Sequence, residues 1–431
     1  GKDILAGRSP VRAVIEPEFV FFVNFHPTYS TSGNVPQRAL TFHLNCFLFH
    51  GPYTQKMQLI PMLQQLIASN SISSVNPALD NGNREVIELL ASWLDTLGFA
   101  TEIMPLADPR KANLIATLGS GPGGLVLAGH TDTVPCDGSQ WNNNPFQLIE
   151  KDQRLYGLGT CDMKGFFPLA IEAAKPFLKQ PLKQPLIFLA TADEESSMMG
   201  AQALADAGKP RARYALIGEP TGMKPINMHK GIMVEKLVIE GHSGHSSDPS
   251  LGINAMETMH KALGELLTLR NELRDNYNNP LFAVSYPTMN LGCIHGGNNP
   301  NRICGQCELG FEIRPLPGMD MAVLQKTISE RILPLEQQDG VSVAINHYHV
   351  PAYAAAPDSA MVELCESLTN HTSESVSFAT EAPYLHNLGM DVVVLGPGNI
   401  EQAHQPDEYL ALNRIQPTVD FLTQLIGRCC L

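Results

Sequence analysis

The sequence predicts an α/β fold: one discontinuous domain on a mostly parallel sheet, interrupted by a smaller α+β unit. Three observations carry this. Four short runs rich in Val, Leu or Ile, at 125–128, 186–190, 214–217 and 392–395, are each short enough for a buried strand, and buried strands of this kind belong to parallel sheets. Segments of helical period alternate with those runs as far as residue 232. Between 233 and 345 the rhythm changes. At 431 residues the chain also exceeds the size at which single cores stop growing.

Residues 1–56 stand apart. They hold no methionine and mix Phe, Pro, His and Gly without period; the first methionine, Met57, opens the amphipathic stretch MQLIPMLQQLIAS. They read as an extension of doubtful origin. The preferred explanation is an upstream region translated in error, with the native start near Met57; a disordered extension is the alternative. From Arg84 to Leu97 the apolar residues Val86, Leu89, Leu90, Trp93, Leu94 and Leu97 follow helical spacing, and Gly98 is placed to end the helix. A second apolar helix is predicted over 166–178. These elements form the first part of the main domain, 57–232.

In the inserted unit, 233–345, residues 233–239 and 305–313 read as strands, and 253–269 and 320–332 as helices. Its last strand is 341–345. The main domain resumes over 346–431 with a helix near 359–368, the strand 392–395 and a closing helix over 415–426. No internal repeat or low-complexity tract appears.

Composition excludes several function classes. No run of 18 apolar residues occurs, and the N-terminus lacks the basic-then-apolar order of a signal peptide, so a membrane span and secretion are not indicated. Nine scattered cysteines, an odd number, fit a reducing compartment, and the expected location is the cytoplasm. Cys304 and Cys307 have CxxC spacing without a second pair and read as structural thiols. A net charge of −14, with no basic stretch, argues against nucleic acid or an anionic membrane as partner and tolerates a substrate bearing a positive group.

The chemistry lies at the strand ends. His130, Asp162, Glu195, Glu219 and His404 each stand in or just beyond a Gly- or Pro-rich turn, four of them soon after an apolar run. In open α/β sheets ligands collect beyond the carboxyl ends of strands. Imidazole and carboxylate donors suit zinc or cobalt, and a shared carboxylate holds two ions about 3.5–4 Å apart.

Each motif also has a plainer reading. GHTDTVP, 129–135, places His130 two residues from Asp132; a metal-bound imidazole gives its other N–H to a carboxylate, yet an isolated HxD is often only a loop. In GLGTCDMKG, 157–165, Asp162 fits either a helix N-cap or a bridging ligand. ATADEES, 190–196, lines up Asp193, Glu194 and Glu195. Adjacent acids repel, so they are either solvated or compensated by cations, with Glu195 on a metal and Glu194 taking a proton from water. HSGHSSDP, 242–249, is a surface turn, or one of His242 and His245 reaches a site in a neighbouring subunit. Asn301 and Arg314 flank the strand at 305–313. Arg314 reads as an anchor for a substrate carboxylate or as half of a surface ion pair.

Taken in order, GHTDTVP, GTCDMKG, ATADEES, IGEPT, GHSSDP and AHQPDEY resemble the M20 family of metallopeptidases and deacylases, from about Met57 to the C-terminus. The resemblance implies a zinc-hydrolase domain with two Zn2+ per subunit, replaceable by Co2+. Asp162 would bridge the ions, His130 and Glu219 would complete one site, and Glu195 and His404 the other. It further implies that Asp132 orients His130, that Glu194 is the general base, and that the peptide after Asp162 is cis. The inserted unit becomes a lid and dimerisation domain of a homodimer, with His245 reaching across to the oxyanion and Asn301 and Arg314 gripping the substrate carboxylate. The motifs are most like those of deacylases acting on small N-acylated amino acids. Desuccinylation or dipeptide cleavage would suit the same centre, whereas a non-enzymatic scaffold would require a missing ligand or base, and none is missing.

Overall fold

Strand formation follows the apolar runs. Leu125–His130 and Leu186–Thr191 are buried along their whole length, and Tyr214–Ile217 and Asp391–Val394 over all but the first residue. The computed structural model describes residues 57–431, so the extension expected at 1–56 lies outside the described residues.

Among the described residues these strands belong to a nine-stranded sheet. Eight strands follow the order Ala100–Pro105, Ala112–Leu118, Leu186–Thr191, Leu125–His130, Tyr214–Ile217, Asp391–Val394, Ile226–His229, Tyr353–Ala354, and Glu374–Val376 pairs with Ile226–His229. The four central strands run parallel. Their register is nearly flush, with His130 opposite Thr191 and Ala128 opposite Ile217, so their carboxyl ends open on one edge. Side chains alternate between two cores: Leu125 and Leu127 enter one, Val126 and Ala128 the other.

The first core is covered by Arg84–Thr96, which buries Val86, Ile87, Leu90, Trp93 and Leu94. Gly98, at φ 91, lets the chain leave that helix. Phe166–Ala174 and Ile415–Cys430 lie in the same core. The first of these ends sooner than the pattern predicts, giving way to the 3-10 turn Lys175–Phe177 where Pro176 has no N–H to offer.

A separate antiparallel sheet has the order Thr288–Gly296, Gln306–Arg314, Ile232–Glu240, Ser342–Val350. Helices Ala255–Asn276 and Met321–Ile332 cover one face, packing Met259, Leu266 and Ile328 on Met233, Leu237, Phe311 and Ile313. Three details differ from the sequence expectation. The first helix continues to Asn276, Ser342–Val350 runs past the boundary placed at 345, and Thr288–Gly296 is an additional strand, mostly exposed, with a register shift between Leu291 and Cys293. Among the described residues no helix is long and apolar enough to cross a membrane.

Candidate metal centre

The five predicted ligands converge at the carboxyl edge of the parallel strands. His130 closes its strand, and Glu219 follows the end of Tyr214–Ile217. Asp162 precedes the helix Phe166–Ala174, and the peptide between Asp162 and Met163 is cis. His130 Nε2 lies 3.0 Å from Asp162 Oδ1 and 3.7 Å from Glu219 Oε1. On the other side, His404 Nε2 lies 3.0 Å from the Glu195 carboxylate and 3.5 Å from Asp162 Oδ2. Asp162 therefore presents one oxygen to each pair.

The loop carrying the acids is braced from below. Asp193 takes a left-handed conformation (φ 63), and its carbonyl accepts the N–H groups of Ser197 and Met198 at 2.9 and 2.6 Å. Its carboxylate accepts from Lys111 at 2.7 Å and Ser73 at 2.8 Å. Asp132 accepts the main-chain N–H of Glu194 at 3.3 Å and of Glu195 at 3.0 Å. His130 Nδ1 is 3.0 Å from the Asp132 carbonyl oxygen but 3.7 Å from its carboxylate, so the main chain orients the imidazole while the carboxylate holds the acid loop.

Glu194 groups with His130 and Glu219, with ligand-capable atoms within 4.8 Å of one another. No hydrogen bond is made to its carboxylate among the described residues, which leaves it free to exchange a proton. Burial pushes the Glu194 and Glu219 carboxyls well above the ordinary range, and neighbouring acids push the same way. Burial and the charge of Asp162 also raise Glu195. For His130, burial opposes the charged form, but Glu219 and Asp162 outweigh it and hold the imidazole well above its usual value. The bond to Glu195 raises His404 to about 9.

Four acids, Asp162, Glu194, Glu195 and Glu219, thus crowd two imidazoles, with His130, Asp162 and Glu219 buried, and Glu219 Oε1 is buried without a hydrogen-bond partner. Such an excess of buried negative charge is unstable without cations. The donor set fits two divalent ions: each half offers one imidazole and one terminal carboxylate, with Asp162 common to both.

The other predicted residues are not drawn into this cluster. His245 is exposed and its Nδ1 lies 2.7 Å from Ser247 Oγ. Asn301 is also exposed, and its carbonyl accepts the Ser246 N–H at 3.1 Å. Arg314 forks onto Glu312 at 2.7 and 3.0 Å, the ion-pair alternative left open by the sequence.

The profile of peptidase family M20/M25/M40 matches residues 126–428. The chain belongs to the M20 family. As an M20 protein it is a metal-dependent hydrolase of amide bonds. It is 49% identical over 374 residues to the acetylornithine deacetylase of Pasteurella multocida (strain Pm70), spanning 86% of this chain and 98% of that one. With the acetylornithine deacetylase of Edwardsiella ictaluri (strain 93-146) it shares 49% identity over 380 residues, 88% of this chain and 99% of the relative. In fold it is similar to an M20 family metallo-carboxypeptidase from Sulfolobus solfataricus, at TM-score 0.69 and 18% identity, covering 85% of this chain and 98% of the other.

Three buried residues of this M20 site were not singled out by sequence. Lys111 joins Asp193 to Asp80, Glu381 bonds Thr191 at 2.9 Å behind the strand end, and Glu408 receives main-chain N–H groups from the Asp162 loop. A charged residue inside an otherwise apolar or Gly-rich stretch, as in RKANLIA around Lys111, was the available signal.

Proposed function

We propose that this chain removes the acetyl group from N2-acetyl-L-ornithine, releasing acetate and L-ornithine for arginine biosynthesis, and that it does so as a homodimer with two Zn2+ per subunit, Co2+ substituting. The observation carrying the reading is the split of Asp162 between two imidazole–carboxylate pairs, with the unbonded Glu194 carboxylate beside one of them. Identity near half over nearly the full length of named acetylornithine deacetylases directs the choice of acyl-amino acid.

His130 and Glu219 would hold one ion, Glu195 and His404 the other, and Asp162 both. When bound, the ions supply Lewis acidity that polarises the acetyl carbonyl and lowers the pKa of water from 15.7 toward about 7. Glu194 takes the proton from the attacking water and returns it to the departing α-nitrogen. Asp132 keeps Glu194 and Glu195 apart in role by fixing both main-chain N–H groups. His245, supplied by the partner subunit, donates to the developing oxyanion, and Asn301 and Arg314 take the substrate carboxylate once Arg314 releases Glu312. The antiparallel sheet then serves as lid and dimerisation unit; its edge strand Thr288–Gly296 exposes most of its residues, as a pairing surface requires.

The test is a substrate panel of N-acetylornithine, N-succinyl-diaminopimelate and dipeptides, run on metal-stripped and zinc- or cobalt-restored protein. Selective, metal-restored hydrolysis of N-acetylornithine is expected, and preference for another substrate would reassign the chemistry. Glu194→Gln should retain the metal and lose about 10²–10⁴-fold in kcat. Turnover near that of the parent would remove Glu194 from the mechanism.

A further inference from the structure

We infer that Glu408 is a positioning residue, a buried clamp that joins the loop of Asp162 to the loop of His404 and so sets two ligands from distant parts of the chain as one unit. The inference rests on the two-ion reading of the site.

Glu408 is 1% exposed. A single oxygen, Oε1, accepts three main-chain N–H groups: Gly159 at 3.0 Å, Cys161 at 2.8 Å and Asp162 at 3.0 Å. The three donors converge at a turn where Gly159 is left-handed (φ +85), while the intervening Thr160 N–H goes to the Gly157 carbonyl at 3.1 Å. The last of them is the amide of the bridging ligand itself. Around this point the two loops are tied again. The Glu408 carbonyl accepts the Gly157 N–H at 3.0 Å, and Tyr409 pairs with Tyr156 at the start of the Asp162 segment.

His404 needs such an anchor. Its side chain is 52% exposed and its backbone is left-handed (φ 57), so little packing fixes it. Its position is set by residues 407–411, which are fastened to the segment carrying Asp162. The three N–H groups share the Glu408 carboxyl as their acceptor, and without it they would be stranded away from water. Glu408 faces the main chain of the Asp162 loop, so it adjusts where Asp162 and His404 stand without being a ligand.

Hydrogen exchange on the metal-free protein, together with zinc titration by calorimetry, tests this. Glu408→Ala is expected to speed exchange in peptides covering 157–165, to leave those of Leu125–His130 unchanged, and to weaken zinc binding about 10–100-fold. Glu408→Gln, which keeps an acceptor oxygen in place, should restore most of both. Glu408→Asp keeps a carboxyl but withdraws its oxygen by a methylene; it should resemble the alanine variant, and it carries the test if that variant fails to fold. Parent-like exchange at 157–165, or parent-like zinc affinity, in the alanine or aspartate variant overturns the clamp. A parent protein that binds fewer than two zinc ions would instead overturn the two-ion reading, with exchange still deciding whether the loops are joined.

Discussion

Lys111 touches no predicted ligand, yet it fixes the loop that carries Glu194 and Glu195. It is buried, with Asp80 at 2.9 Å and Asp193 at 2.7 Å. Removing one partner from a buried ion cluster leaves uncompensated charge, at about 3–5 kcal/mol. Lys111→Met should therefore lower the melting temperature and also lower kcat, by up to about 10²-fold, because Asp193 would lose its tether and the acid pair would shift. KM should change little, and Lys111→Arg should recover part of kcat. An unchanged kcat in a folded Lys111→Met protein would confine the residue to stability. The clustering of the candidate ligands was legible because type and place coincide: a hard donor just past an apolar run is uncommon by chance, and four of the five stand so. The bracing was not. Lys111 and Asp193 lie 82 positions apart and Glu408 lies 246 from Asp162, and nothing periodic links such pairs. Around His130 Nδ1 the carbonyl of Asp132 lies at 3.0 Å and its carboxylate at 3.7 Å, a choice set by loop backbone that HxD spacing does not encode.

Among the elements, the crossing between the two sheets depends on one glycine. The chain leaves Ile226–His229, passes Gly231 and enters Ile232–Glu240; it returns through Val350 to Tyr353. Gly231 donates its N–H to the Pro315 carbonyl at 2.9 Å. A Cβ there would lie 2.7 Å from the Val350 oxygen and 2.8 Å from the Ala352 nitrogen, both main-chain atoms that cannot rotate away. Gly231→Ala should force the outgoing and returning segments apart and destabilise the protein by about 1–3 kcal/mol, the usual cost of overpacking. Thermal melts check this, and an unchanged melting temperature would mean the crossing yields freely. Element boundaries were read well where burial is strong, as along the four parallel strands. They failed where it is weak: Thr288–Gly296 interrupts its own alternation with Gly292 and a register shift, so its sequence carries almost no strand period.

At the scale of the whole molecule, the clustered donors span residues 130 to 404, and only the folded strand order brings them together. An unfolded chain cannot hold two ions in that arrangement, so metal affinity becomes folding stability. One site in the presence of free ion at 100 times its Kd adds about 2.7 kcal/mol. The metal-free protein must also confine Asp162, Glu194, Glu195 and Glu219 together, so cations relieve a repulsion built into the native state. Stripping metal with a chelator should lower the melting temperature, and zinc should restore it in a concentration-dependent way. Asp162→Asn should abolish most of that shift, because Asp162 turns one carboxylate oxygen toward each imidazole of the cluster. Arg314→Ala should preserve it, since Arg314 pairs with Glu312 away from the cluster. Calorimetric scans at fixed pH over a series of free zinc concentrations make the comparison directly. A melting temperature indifferent to zinc in the parent protein would mean that the converging acids are stabilised by shared protons alone.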